Sequence, residues 1–295
     1  MPAEPSPSPP AVRTPPTPLE EAAVLLAWLR RSGGRWLAAD APGADAGSLA
    51  APSRPGPAAG SHGARPAART APGNTGKQGS PGPDVGGVAA ARAASAPAIP
   101  LPERVAALAR MADDVASCKR CRLCETRTRT VFGVGSPTAR LVVVGEAPGA
   151  DEDRQGEPFV GRAGQLLDRM LGAIGLSRDG DDVYICNVLK CRPPGNRDPH
   201  LDEVGACRAF LDEQLRLLKP EVVLALGAPA ARTVLGTHRG ISSLRGRFLT
   251  SPAGWRVMPT WHPAYLLRQP DAKREAWADL QKVAAALGLS IPPRA

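Results

Sequence analysis

No apolar run in the 295-residue chain approaches the roughly 20 residues needed to cross a bilayer. The sequence therefore offers no transmembrane helix. The opening MPAEPSPSPP lacks a basic segment followed by an apolar one, so no secretory signal is expected and the reading is cytoplasmic. Large apolar residues are almost missing from residues 38–99, which are rich in Ala, Pro, Gly and Ser. Such a stretch cannot bury enough surface to offset its ordering entropy and reads as a flexible linker. No internal repeat is visible. The 33 prolines are unevenly spread, with 18 of them in the first 100 residues, which argues against one folded unit.

What is present divides the chain into three parts. Residues 1–37 form a Pro- and Ser-rich tail, read as disordered apart from one short helix over Leu19–Arg31. That helix carries acids in its first turn and arginines in its last, matching the helix dipole. Trp28 and Trp36 suit it to docking on the main domain or on a partner. Residues 38–99 are the linker, and residues 100–295 the folded domain. The formal net charge is +9, and about two thirds of it lies beyond residue 100. A basic domain of this kind points to a polyanionic partner, nucleic acid first.

The domain is organised around Leu141–Leu171. Leu141-Val142-Val143-Val144 has the composition of a strand buried on both faces. The turn Gly145-Glu146-Ala147-Pro148-Gly149 ends it, and the acids Asp151, Glu152 and Asp153 follow. After Pro158-Phe159-Val160-Gly161, apolar residues at 166, 167, 170, 171 and 174 recur at helical spacing. Further strands are expected over residues 182–188, 221–226 and 256–260, and helices over 102–117, 201–218 and 272–287. This alternation predicts a three-layer α/β/α domain with a central, mainly parallel four-stranded sheet. Glu146, Asn187 and His262 then stand just beyond three strand ends, at the sheet edge where ligands bind in this architecture. The glycine turn has no P-loop lysine, so phosphate cradling is unsupported.

The six cysteines are clustered, which in a cytosolic chain favours metal binding or catalysis over disulfides. Cys118 and Cys121 have the spacing of a metal clip, and Cys191 and Cys207 supply two further soft ligands. Spacing alone leaves zinc and an iron–sulfur centre both open. Cys124 extends the clip to Cys-x2-Cys-x2-Cys, which leans toward iron–sulfur and leaves the ligand assignment open, while Cys186 sits within an apolar strand and reads as a small buried hydrophobe.

Four segments occur in an order that resembles the family 4, iron–sulfur uracil-DNA glycosylases. They are the Gly145–Gly149 turn, Pro158–Gly164, Asn187 with Lys190-Cys191-Arg192-Pro193-Pro194, and His262-Pro263-Ala264-Tyr265-Leu266-Leu267-Arg268. The resemblance runs from about Ser117 to Leu287. It implies a uracil-DNA glycosylase-like fold, a [4Fe–4S] cluster on Cys118, Cys121, Cys191 and Cys207, and Cys124 and Cys186 as extras. The implied activity is monofunctional removal of uracil from single- or double-stranded DNA in base excision repair, by a nucleoid-associated monomer. A replication or repair protein is a possible partner through the N-terminal helix.

On this resemblance the base is rotated out of the stack into a pocket. Phe159 stacks on it, Ala147 lines the pocket, and the Asn187 amide reads the uracil edge. His262 stabilises charge developing on the departing base. Better-known relatives carry Asp where this chain has Ala147, so the acid that positions water is expected to be Glu146 or Glu152, with Asp151 and Asp153 as solvated neighbours. Arg162, Lys190, Arg192, Arg197, Arg245 and Arg268 are candidate DNA contacts, and Ser242, Ser243 and Arg247 add to them. Leu267 is a candidate wedge into the gap left by the flipped nucleotide. Two rival readings are a relative that traps DNA covalently through a histidine, for which His200 is the nearest candidate, and a non-catalytic iron–sulfur DNA-binding module.

Overall fold

The computed structural model describes residues 99–292. The tail helix expected at Leu19–Arg31 and the linker up to residue 98 lie outside the described residues. In chain order the elements are α1 (Leu101–Ala116), β1 (Val134–Gly135), β2 (Leu141–Gly145), α2 (Ala150–Gln155), α3 (Arg162–Gly172), β3 (Val183–Asn187), α4 (Leu201–Leu218), β4 (Val222–Leu226), α5 (Gly227–Leu235), α6 (Ile241–Leu244), β5 (Leu249–Thr250), β6 (Arg256–Thr260), α7 (Pro263–Arg268) and α8 (Lys273–Ala286).

The strands form one sheet in the order β1-β3-β2-β4-β6-β5. The four strands expected from sequence are the parallel ones, β3, β2, β4 and β6. The sheet is nevertheless six-stranded, because β1 and β5 pair antiparallel at its two edges. Each is only two residues long, too short to show a periodicity in sequence, and each shields an edge that would otherwise present unpaired backbone groups.

The parallel strands are apolar throughout because both faces are covered. Alternate side chains feed opposite cores, as the pleat requires. Val142, Val144, Tyr184, Cys186, Val223, Ala225 and Val257 pack beneath α1, α4, α5 and α6. Leu141, Val143, Val183, Ile185, Leu224, Leu226 and Met258 pack beneath α3, α7 and α8. Cys186 is fully buried in this second-period pattern, as its apolar setting suggests.

Parallel register brings the site residues together. Gly145 lies opposite Asn187, and Leu226 lies opposite Thr260, two residues before His262. The β2–β3 ladder continues one step past the strands, with Val188 N–H donating to Gly145 O at 2.9 Å and Leu189 N–H to Glu146 O at 3.0 Å. The carboxyl edge of the sheet is therefore rigid where Glu146 and Asn187 emerge. Among the described residues no helix is long and apolar enough to cross a membrane.

Candidate active site

A cavity of about 450 Å³ opens at the carboxyl ends of β2, β3 and β6. Glu146, Ala147, Glu152, Phe159, Asn187 and His262 all line it, with Arg197, Asp198, Tyr265 and Arg268 also at its wall. All six residues expected to bind substrate or act on it are thus in one place.

Asn187 is only 2% exposed, and its Oδ1 has no hydrogen-bond partner among the described residues. A buried acceptor left unmade is costly, and here it stands in the wall of a polar cavity, available to an incoming donor. Gly145 keeps the neighbourhood tight: a Cβ there would fall 2.3 Å from Asn187 Oδ1 and 2.5 Å from Phe159 Cζ. The Phe159 ring stands 5.6 Å from that of His262, inclined by 32°.

His262 caps the N-terminus of α7, where its Nδ1 accepts the Ala264 N–H at 3.1 Å. An accepting Nδ1 cannot carry a proton, so the neutral ring holds its hydrogen on Nε2. Burial, reinforced by the Arg268 charge, lowers the imidazole from 6.5 to about 4. His262 is therefore a neutral donor at physiological pH.

The two glutamates differ sharply. The Glu152 carboxylate accepts three backbone N–H groups, from Gly149 at 3.0 Å, Val160 at 3.0 Å and Gly161 at 3.1 Å. It ties the glycine turn to the Phe159 loop. The Glu146 carboxylate makes no hydrogen bond among the described residues, and burial followed by repulsion from Asp198 raises its pKa. Asp198, on the basic loop, was not singled out from sequence, since nothing local shows that it returns to face Glu146. Asp153 is not a solvated neighbour: it is 3% exposed and its carboxylate accepts the Thr128 and Arg129 N–H groups. Asp151 pairs with Arg154 at the surface.

Two of the expected DNA contacts are overturned. Lys190 is 1% exposed, and its Nζ donates to Asn187 O at 2.8 Å and Gln214 Oε1 at 2.6 Å. It buttresses the strand end that carries Asn187 and cannot reach a phosphate. Arg245 spends its guanidinium on the fully buried Asp279, with Nε to Oδ2 at 3.1 Å and Nη2 to Oδ1 at 3.0 Å. Arg197 is divided: it lines the cavity while forming a two-pronged bond to the buried Glu203, at 2.8 and 2.6 Å. Arg192 reaches Asn196 Oδ1 at 2.7 Å, and Arg162 and Arg268 are exposed. Leu266 is buried in the core, and Leu267 stands half-buried against it. Tyr265 lines the cavity and stacks on Trp261, ring centroids 4.6 Å apart.

A second, smaller cavity is lined by Cys118, Cys121, Cys191 and Cys207, together with Arg120, Arg127, Lys190 and Phe210. Cys124 and Cys186 do not line it. Arg127 Nη1 donates to Cys191 Sγ at 3.2 Å, and the Lys190 N–H donates to Cys207 Sγ at 3.3 Å. Burial raises the Cys121 and Cys207 thiols, and Cys191 to about 11. Among the described residues no three His, Cys, Asp or Glu side chains gather closely enough to hold a single metal ion.

The chain matches the family described as the uracil DNA glycosylase superfamily over residues 132–281. It is 43% identical over 187 residues to the type-4 uracil-DNA glycosylase of Archaeoglobus fulgidus, covering 61% of this chain and 92% of the relative. It is also 43% identical over 175 residues to the type-4 uracil-DNA glycosylase of Thermotoga maritima, covering 58% and 90%. A type-5 uracil-DNA glycosylase of Thermus thermophilus matches over less, 36% identical across 45% of this chain and 68% of the relative. The chain belongs to the uracil DNA glycosylase superfamily, on its type-4 branch.

Proposed function

We propose that the cavity at the carboxyl edge of the sheet receives a uracil rotated out of DNA, and that the protein hydrolyses its N-glycosidic bond to leave an abasic site. The observation that carries this reading is the pairing of a buried, partnerless acceptor at Asn187 with a neutral donor at His262. Asn187 Oδ1 accepts N3–H of uracil and the amide nitrogen donates to O4, a pattern that cytosine reverses. Phe159 supplies a stacking surface, with Ala147 beside it.

Bond cleavage leaves negative charge on the base and positive character on the sugar. His262 Nε2–H donates to uracil O2 as that charge grows. A ring with a pKa near 4 holds no second proton to give, so the base departs as a stabilised anion rather than being protonated by His262. Glu146, whose carboxylate makes no hydrogen bond among the described residues, orients the attacking water and offsets charge on the sugar. Glu152 acts through position, holding the turn that presents Glu146. Arg268 and Arg162, both exposed, are suited to phosphate contact, with Arg192 and Arg197 on the adjoining loop.

The four cysteines of the second cavity fit an iron–sulfur cluster. The N–H donors that Arg127 and Lys190 direct at the Cys191 and Cys207 sulfurs suit bound thiolates. Held as a [4Fe–4S] cluster by Cys118, Cys121, Cys191 and Cys207, the group would tie the Cys118–Cys124 segment to the loop between Cys191 and Cys207. His200 begins α4 outside the main cavity, which gives the covalent-trapping reading no support. The protein is read as a monomer acting on DNA in the nucleoid, with the segment Leu19–Arg31 proposed to engage a replication or repair partner.

The test is alkaline cleavage of labelled oligonucleotides containing one uracil, in single- and double-stranded form, with thymine controls. Cleavage at uracil alone is expected. No cleavage by iron-loaded protein would overturn the reading.

A further inference from the structure

Phe159 holds its backbone at φ 56°, the left-handed region that a bulky residue occupies only when its surroundings impose it. Beside the Glu152 bonds to Val160 and Gly161, one further side chain grips this peptide directly. Arg178, in the turn that follows α3, donates Nη2 to Phe159 O at 2.7 Å and Nη1 to Pro158 O at 3.3 Å. Its Nε meanwhile donates to Asp168 Oδ1 on α3 at 2.7 Å. The side chain is 18% exposed, so the fork is largely withdrawn from solvent. Three donors of one planar guanidinium are thus fixed in three directions, which an ammonium cannot reproduce. Behind the same carbonyl, Gly164 approaches so closely that a Cβ would fall 1.7 Å from Phe159 O. The peptide is gripped on both sides.

The direction of the Phe159 ring follows from this backbone state, because φ sets where Cα points its side chain. Loss of the Arg178 bonds would free the Phe159 peptide to relax toward negative φ and turn the ring within the cavity wall. Neither Arg178 nor Asp168 lines the cavity. Both act at a distance, through the Phe159 main chain.

We propose that Arg178, oriented by Asp168, is a positioning residue that sets the uracil-stacking surface before the base arrives. The proposal rests on the reading of Phe159 as that surface. It makes the clamp a determinant of affinity for the flipped base, separate from affinity for the DNA backbone.

The experiment uses the full-length, iron-loaded protein and four variants: Arg178→Met, Arg178→Lys, Asp168→Asn and Phe159→Ala. Three quantities are read: single-turnover excision of uracil, inhibition by free uracil, and binding of abasic-site DNA. Misplacing a reacting group by about 1 Å costs roughly 100-fold, so Arg178→Met is expected to slow excision by roughly 10- to 100-fold. Free uracil should inhibit it correspondingly less, while abasic-site DNA binds as to wild type. Arg178→Lys should restore little, and Asp168→Asn should show a smaller loss in the same direction. A general loss of structure would instead weaken abasic-site binding in parallel, and that result would overturn the proposal. So would wild-type excision and uracil inhibition in Arg178→Met alongside a defective Phe159→Ala. If Arg178→Met does not fold, wild-type uracil inhibition in both Arg178→Lys and Asp168→Asn overturns it. Normal excision by Phe159→Ala would bring down the stacking assignment itself, and the clamp's role with it.

Discussion

His262 provides a quantitative test because its geometry and its proton affinity make the same demand. Its Nδ1 accepts the Ala264 N–H, and burial with the nearby Arg268 charge lowers its pKa from 6.5 to about 4. Between those two pH values the unfolded chain holds a proton that the folded chain does not. Stability from this residue is therefore complete above pH 6.5 and is lost as pH falls toward 4. At 1.36 kcal/mol per pKa unit the window is worth about 3 kcal/mol. In urea unfolding, wild type should lose about that much more stability than His262→Gln between pH 6.5 and 4. Acid effects on the rest of the protein are common to both and cancel. Ring NMR gives a direct reading, since the chain has only four histidines. One ring, absent from His262→Gln, should remain an Nε2–H tautomer well below pH 6. Excision should stay level from pH 7 to 9, and His262→Ala should lose roughly 100- to 1,000-fold, the cost of one donor to a developing anion. A His262 ring titrating at or above 6.5, or a flat stability difference, would refute the reasoning.

The two glutamates should separate by assay. Glu146→Gln is expected to lower single-turnover excision by roughly 100- to 10,000-fold with no loss of stability at neutral pH, and to abolish an acid limb lying above the ordinary carboxylate value. Glu152→Gln should cost about 2 kcal/mol of stability, measured by denaturant unfolding, because three N–H groups lose a charged acceptor. Cys207→Ser should lose iron and sulfide on purification, whereas Cys124→Ser, outside the cysteine-lined cavity, should keep both. Arg268→Ala should weaken DNA binding and flatten its salt dependence by about one unit of slope. Arg245→Ala should leave that slope alone and cost about 3 kcal/mol or more of stability, because it strands the buried Asp279 carboxylate.

Much of the fold is legible in the sequence because its signals are local. The runs at Leu141–Val144 and Val222–Leu226 are apolar on both faces, and Val257 to Thr260 is likewise buried without alternation. The convergence of Glu146, Asn187 and His262 follows from placing each beyond a parallel strand. Two-residue strands such as β1 and β5 carry too little pattern to be seen, and their partners decide them. The basic loops mislead for a related reason. A lysine beside Cys191 and an arginine beside Gly246 look alike in sequence as cations near turns, yet one is buried under Asn187 and the other is spent on α8.

By itself the sequence determined the alternation of strands and helices, the sheet edge at which a ligand would bind, and the four cysteines that the fold brings to one cavity. Those features depend on residue type and spacing over a few positions. Tertiary structure alone decided which groups remain free to act. Arg127 meets Cys191 across 64 positions, Arg245 meets Asp279 across 34, and Arg178 reaches Phe159 across 19. Glu146 and Glu152 are equivalent acids on paper, but one carboxylate is consumed by backbone donors and the other faces the cavity unbonded. A side chain's chemistry is set by what already occupies its hydrogen bonds and by the water it has lost, and both depend on neighbours that only the folded chain brings close.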